Sequence, residues 1–374
     1  MKMKRIISAV VFIAFLVGVA AMFVLLPKEA VSTHEKRVLA TFPELELKTI
    51  ADGSYGRRLE TYLSDHFPFR QFWVGIHSYT QLLAGGNGLS GIYQAGDGRL
   101  IAAPDAFNEE QAIRNISRFR QFAEQTGLPA AILPVPSAGF VMEDLLPENH
   151  QQYWDERLFE VLAEQAGDLK IIDLRERFLS MEERLELYYR TDHHLTSAGS
   201  FAMYEAVCQA MDLESKAFSL KETVDGFYGT GYSRSGLWLT EPDRVELWTA
   251  DAPGDYTVTV YEGAKEETFD SLYFRAHLDA ADKYPVFLDG NHSLVTIENA
   301  ACQNGRRLLL IKDSYAHCFA TFAAENYEQI CMVDLRYYRG DVKALKEEMG
   351  STEILYLYGV ENLASSTDIG WLLP

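Results

Sequence analysis

The chain has only four cysteines, Cys208, Cys302, Cys318 and Cys331, and none stand in C-x-x-C spacing. That removes the usual zinc-ribbon and thioredoxin signatures and makes buried free thiols the default reading, although an oxidising exterior would permit a disulfide. No H-E-x-x-H or other spaced ligand set occurs. Basic residues are scarce relative to acids, the formal charge is −20, and no lysine- or arginine-rich face is visible. Such a chain repels phosphate backbones, which excludes nucleic acid as a partner. Internal repeats and low-complexity tracts are absent, while 48% apolar and 24% charged residues describe an ordinary folding chain.

One apolar run stands out. After Met1-Lys-Met-Lys-Arg5, the stretch Ile6 to Leu26 carries no charge. As a helix rising about 1.5 Å per residue it spans roughly 30 Å, the hydrocarbon thickness of a bilayer. Lys2, Lys4 and Arg5 all precede it, so the positive-inside rule predicts a cytoplasmic N-terminus and an extracytoplasmic remainder. A cleaved signal peptide is the competing reading, but its apolar region is usually only about 7–15 residues and no clean A-x-A site follows. The expectation is a single-pass, uncleaved anchor in the cell membrane over residues 1–27.

Residues 28–91 read as a stalk or docking segment, with one helix stopping near Phe67-Pro68. From Asn108, Ile113, Ile116, Phe119 and Phe122 form a helical stripe that Gly127 ends. The short runs A-A-I-L-P-V, L-K-I-I-D-L, R-L-L-L-I-K, Q-I-C-M-V-D and E-I-L-Y-L-Y-G alternate with helical segments. Buried runs alternating with helices predict an α/β domain with a mostly parallel sheet over residues 92–374. Residues 219–297 break the rhythm: F-Y-G-T-G-Y-S-R-S-G-L and the alternating D-Y-T-V-T-V-Y-E suit a small antiparallel β insertion.

Ligands of open parallel sheets bind beyond the carboxyl ends of the strands, which singles out Ser314 after R-L-L-L-I-K-D. A serine at a strand-to-helix turn presents its hydroxyl beside the free N–H groups of the helix, although serine is also a preferred N-cap. A nucleophilic serine needs a base, and R-T-D-H-H-L-T-S-A-G-S, Arg190 to Ser200, offers an acid and two histidines. In an extended segment Asp192 and His194, at i and i+2, point the same way while His193 points elsewhere. A helix is expected from Thr196 or Ser197, with Phe201, Tyr204, Cys208 and Met211 as its buried stripe. A metal is disfavoured because neighbouring histidines diverge and the remaining ones are dispersed; no cofactor is called for. The turn F-L-D-G-N-H-S places Asn291 where a side-chain amide could meet an oxyanion, though turn chemistry alone also accounts for G-N.

T-D-H-H-L and K-D-S-Y-A-H, with I-L-P-V-P-S-A-G-F-V, Y-L-S-D-H-F-P-F-R, F-Y-G-T-G-Y-S-R-S-G and M-V-D-L-R-Y-Y, follow one another in a fixed order between about Glu35 and Tyr358. Together they resemble the DHHW family of bacterial exported proteins, relatives of the alginate O-acetyltransferases AlgJ and AlgX in the SGNH hydrolase-like superfamily. The resemblance implies a flavodoxin-like α/β domain with Asp192 and His194 as acid and base and Ser314 as nucleophile. It also implies the Ser314 N–H and Asn291 at the oxyanion, with Tyr315 and His193 as further oxyanion or substrate candidates. The implied function is O-acetyl transfer to an extracellular or cell-wall polysaccharide, with acetyl groups supplied by a multipass membrane acyltransferase. An O-acetyl esterase with the same triad, or a non-catalytic polysaccharide-binding or assembly protein, are the alternatives. Leu195 stands where the family name expects tryptophan; leucine can keep an apolar wall but cannot stack on a sugar, so acceptor recognition is expected to be altered there.

Overall fold

The structure, a computed structural model, describes residues 2–32, 35, 37–263 and 265–373. It divides into two compact units, Met1–Leu89 with Ser233–Leu239, and Ser90–Tyr232 with Thr240–Pro374.

The first unit is helical. Its α1 (Lys2–Leu25) is followed by α2 (Leu47–Ala51), α3 (Ser54–Asp65) and α4 (Arg70–Leu83). The single helix expected before Phe67-Pro68 is α3, and α4 is a further one. The Y-L-S-D-H-F-P-F-R motif ties the unit together through charge: Asp65 accepts from Arg37 and from the Ala40 amide, and Arg70 bonds Glu35. Those bonds hold the Asp65 carboxyl down at about 2. Gly75 of α4 is a notch for Trp238: a Cβ there would lie 1.8 Å from the indole.

The second unit is built on an eight-stranded sheet. Its α/β elements are β1 (Ala130–Val135), β2 (Lys170–Ile171), then β3 (Phe218–Phe227), β4 (Asp243–Ala250), β5 (Tyr256–Glu262), β6 (Lys265–Phe269), β7 (Leu294–Asn299), β8 (Arg307–Lys312), β9 (Gln329–Val333) and β10 (Glu353–Gly359). The sheet order is β6-β5-β7-β9-β8-β10-β1-β2. Strands β9, β8, β10, β1 and β2 run parallel, and β7, β5 and β6 extend them antiparallel. The sheet is therefore mixed. Within the expected insertion β3 and β4 form a separate antiparallel pair, whereas D-Y-T-V-T-V-Y-E has joined the main sheet as β5. Its alternation of buried and exposed residues is that of a strand covered on one face.

Why β8 is central follows from its residues. Leu308 and Leu310 enter the core beneath α7 (Ser197–Ala210) and α8 (Ala316–Ala323), while Leu309 and Ile311 enter the core beneath α5 (Glu109–Thr126) and α6 (Asp155–Gln165). A strand buried on both faces reads as a continuous apolar run, and each such side chain contributes about 1.5–3 kcal/mol. Asn108 caps α5 by accepting from the Gln111 amide, and Gly127 closes it in the left-handed conformation at φ 66°. Thr196 caps α7, accepting from Gly199 N. Tyr204 and Cys208 of the expected stripe are buried; Phe201 and Met211 are half-buried at its margins. Among the described residues all four cysteines are free.

Candidate active site

The carboxyl end of β8 passes into Asp313, Ser314 and Tyr315 before α8 begins. Asp313 fastens this turn to the next strand: its Oδ2 accepts from Gly359 N at 2.8 Å and Asn362 Nδ2 at 2.7 Å, and its Oδ1 accepts from Tyr315 N at 3.0 Å. Ser314 is free to do something other than cap, since Tyr315 occupies the cap position of α8.

What Ser314 meets is His194. The Ser314 Oγ lies 2.7 Å from His194 Nε2, and His194 Nδ1 faces Asp192 Oδ1 in a very short contact. With a carboxylate accepting at Nδ1, that nitrogen carries the proton and Nε2 offers its lone pair to the serine hydroxyl. The three residues are 3%, 7% and 8% exposed in the order Asp192, His194, Ser314, so the relay is shielded yet reachable at the serine end. His193 is exposed, its ring tilted against that of His194 with centroids 3.9 Å apart, and it reaches Thr230 Oγ1 at 2.8 Å through Nδ1. The divergence expected for an extended segment is not seen: the chain bends where the His194 amide donates to Asp192 Oδ1, and the two rings lie side by side.

Asp192 is held from a second direction. Oδ1 also accepts from His194 N at 3.0 Å, while Oδ2 accepts from Thr230 N at 2.6 Å and Thr230 Oγ1 at 3.0 Å. Thr230 can come this close because Gly229 has no side chain: a Cβ there would sit 2.1 Å from Asp192 Cβ. Next door, Thr191 donates its amide to Asp243 Oδ2 at 2.8 Å, and Arg190 donates its amide to Oδ1 at 2.6 Å. Burial pushes the Asp243 carboxyl up despite the Thr191 hydroxyl and these two amides. The acid loop is thus over-determined by backbone bonds, as a group that must hold an imidazole in one orientation requires.

Tyr284 joins His194 to Ser314. Its ring stacks on His194 with centroids 3.9 Å apart and planes 13° from parallel, and its hydroxyl donates to the Ser314 carbonyl at 3.0 Å. Tyr315 is buried and donates its hydroxyl to the His193 carbonyl at 2.9 Å, so it ties the two halves of the site together. Asn291 is exposed, and its amide oxygen accepts from Arg336 at 3.0 Å, a partner outside the triad.

Beneath the turn lies a second buried cluster. Lys312 Nζ donates to His317 Nε2 at 2.7 Å and to Asp334 Oδ2 at 3.2 Å. Burial lowers the Lys312 amine, with the Asp334 charge opposing; burial and the Lys312 charge together hold His317 well below its ordinary value. Burial would raise Asp334, but Arg336 and Lys312 leave it lowered. Nδ1 of His317 is buried with no hydrogen-bond partner among the described residues.

Asp192, His193 and His194 offer ligand atoms within 4.8 Å of one another. Both ring nitrogens of His194 are already engaged with Asp192 and Ser314. A metal there would have to displace the serine or the acid from its bond to the imidazole.

Leu195 is 1% exposed and packs in the core with Tyr188 and Tyr189. This corrects the expectation that it forms a wall against the acceptor: a residue sealed from solvent touches no substrate. Sequence reasoning also passed over Thr230 and Gly229, which were visible in F-Y-G-T-G-Y but without an assigned partner, and Tyr284, which carries no local signal.

Residues 96–226 match the family model described as "SGNH hydrolase-like domain, acetyltransferase AlgX", and residues 166–333 match that of the DHHW protein, a span that includes Asp192, His194 and Ser314. No curated protein matches the chain. Among solved structures, a DHHW family protein from Eubacterium siraeum is 22% identical with a TM-score of 0.61, over 76% of this chain and 97% of that one. PatB1 of Bacillus cereus, solved with a sulfonyl adduct, is 20% identical with a TM-score of 0.64, over 76% of this chain and 99% of that one. The chain shares their fold, and its resemblance to the DHHW family now rests on sequence and structure together.

Proposed function

We propose that this chain, whose α/β body carries the DHHW and AlgX-type matches, is a membrane-anchored O-acyltransferase. It moves an acetyl group to a hydroxyl of an exported or cell-wall polysaccharide. The observation that carries the reading is the unbroken hydrogen-bonded sequence Asp192–His194–Ser314 at the carboxyl end of a central parallel strand.

His194 Nε2 takes the proton from Ser314 Oγ as that oxygen attacks the acetyl carbonyl of the donor. The Asp192 carboxylate stabilises the resulting imidazolium and keeps its orientation. The tetrahedral oxyanion is met by the Ser314 N–H at the head of α8. Collapse expels the donor's leaving group, which takes the proton from His194, and leaves Ser314 acetylated. A sugar hydroxyl then gives its proton to the same nitrogen and attacks the ester; Ser314 Oγ leaves and regains the proton. General acid–base help of this kind supplies about 10²–10⁴-fold.

The helix Met3–Leu25, with mean hydropathy 2.8, supports an anchor, and Lys2, Lys4 and Arg5 at its N-terminal end support a cytoplasmic N-terminus. The acetyl donor in this reading is a multipass membrane acyltransferase, a partner taken from the family resemblance.

The test is adduct formation. Incubated with p-nitrophenyl acetate or a sulfonyl fluoride, the folded chain should gain one acetyl or sulfonyl group on Ser314, read by intact-mass and peptide mapping. An unmodified serine in a folded sample defeats the proposal.

A further inference from the structure

With Leu195 sealed in the core, the acceptor must be recognised by other groups at the rim of the triad. Two half-exposed aromatics, Tyr228 and Tyr232, bracket Gly229-Thr230-Gly231, the segment whose Thr230 bonds the acid. Their rings lie 4.2 Å apart between centroids at 38°.

Both tyrosines are held by backbone bonds. Tyr228 N donates to the Ala281 carbonyl at 3.0 Å, and Tyr232 N donates to the Thr191 carbonyl at 3.1 Å. The glycines bring the segment down onto the acid loop, since a Cβ on Gly231 would stand 2.8 Å from Thr191 O and one on Gly229 would meet Asp192. Gly229 N donates to Thr191 Oγ1 at 3.0 Å. Thr230, midway between the rings, contacts both Asp192 and the exposed His193. The pair of rings is therefore fixed next to the catalytic acid rather than on a free loop, which spares a ligand the cost of ordering it.

We infer that Tyr228 and Tyr232 form an acceptor subsite that stacks a pyranose ring of an uncharged polysaccharide. The inference rests on the transferase reading and deepens it. A rigid aromatic face takes up the C–H face of a sugar, while the polar rim of His193 and Thr230 suits its hydroxyls. The chain's overall charge of −20 disfavours approach of a polyanionic glycan, which is why the neutral class is specified.

Calorimetric titration of the full chain in detergent with chitotetraose, cellotetraose and mannotetraose tests it. At least one should bind at millimolar concentration. Tyr228→Ala and Tyr232→Ala should each weaken that binding by roughly three- to tenfold, and Tyr→Phe at either position should restore it, because the face rather than the hydroxyl does the stacking. Binding of none of the three sugars to the wild-type chain, or equal affinity in the alanine and wild-type forms, overturns the subsite. Loss in the alanine forms that phenylalanine fails to restore overturns the stacking. The adduct on wild-type Ser314 reports the catalytic reading separately: an adduct without sugar binding removes only the subsite, and sugar binding without an adduct removes only the chemistry.

Discussion

Thr230 gives both its amide and its hydroxyl to one oxygen of Asp192, at 2.6 and 3.0 Å. The other oxygen is left to His194. Dividing the carboxylate in this way fixes its plane and so the plane of the imidazole it orients. A hydrogen bond to a charged group is worth about 1.5–3 kcal/mol, so Thr230→Val should slow Ser314 adduct formation about 10- to 100-fold. Thr230→Ser should recover most of that loss, a rescue that separates the hydroxyl's role from simple space-filling. Stopped-flow acetylation kinetics across the three forms is the measurement.

Within the triad, Ser314→Ala should abolish the adduct, and His194→Ala and Asp192→Asn should lower its rate by about 10⁴-fold. His193→Ala, which removes an exposed ring bonded to Thr230, should cost far less. The reverse ranking of the two histidines would reassign the base.

Gly229→Ala places a methyl group 2.1 Å from Asp192 Cβ. The clash must push Thr230 and Asp192 apart, with an overpacking cost of about 1–3 kcal/mol. Thermal melting should show a modest drop, and adduct formation a much larger one, because the displaced group is the acid.

Leu195→Trp would restore the residue the family name expects. In this chain the position is 1% exposed, so the indole enters a filled core and should destabilise by about 1–3 kcal/mol. Sugar affinity should not improve. A gain in tetrasaccharide binding would mean that the new ring had reached the surface.

The Lys312–His317 cluster predicts a pH dependence of stability. His317 has its folded value well below the ordinary 6.5. Below 6.5 the unfolded chain takes up a proton that the native chain refuses, so this contribution is present above that pH and lost as pH falls. The slope approaches about 1.4 kcal/mol per pH unit for one proton. Urea midpoints measured on either side of that pH should diverge in the wild type and converge in His317→Asn; parallel lines would rule His317 out as the titrating group.

Much of this was readable in the sequence where the signal is local. The stripe Ile116, Phe119, Phe122 between Asn108 and Gly127 needs only periodicity and caps, and both are found where expected. The opposed faces expected of His193 and His194 are not found, because the segment bends and brings the two rings to 3.9 Å between centroids. What could not be read is contact across long separations. Alternation marked Tyr256–Glu262 as a strand covered on one face, but not that its neighbours would be Leu294–Asn299 and Lys265–Phe269 at the edge of the main sheet. Thr230 and Tyr284 lie 38 and 30 residues from the groups they bond, and nothing in their own neighbourhoods announces it. Leu195 misled for the same reason: a side chain next to His194 in sequence can point into the core.

The notch at Gly75 bears on how the chain assembles. Trp238, which fills it, is synthesised more than 150 residues after α4, and Ser78 Oγ likewise waits for the Ser235 carbonyl, 157 residues on. As the polypeptide lengthens, the N-terminal helices therefore carry an unfilled apolar recess until that segment arrives. In the full chain, Trp238→Ala should reopen that recess and destabilise the helical unit, read by thermal melting. The first helices to be made are thus finished only once the chain has passed through Leu239.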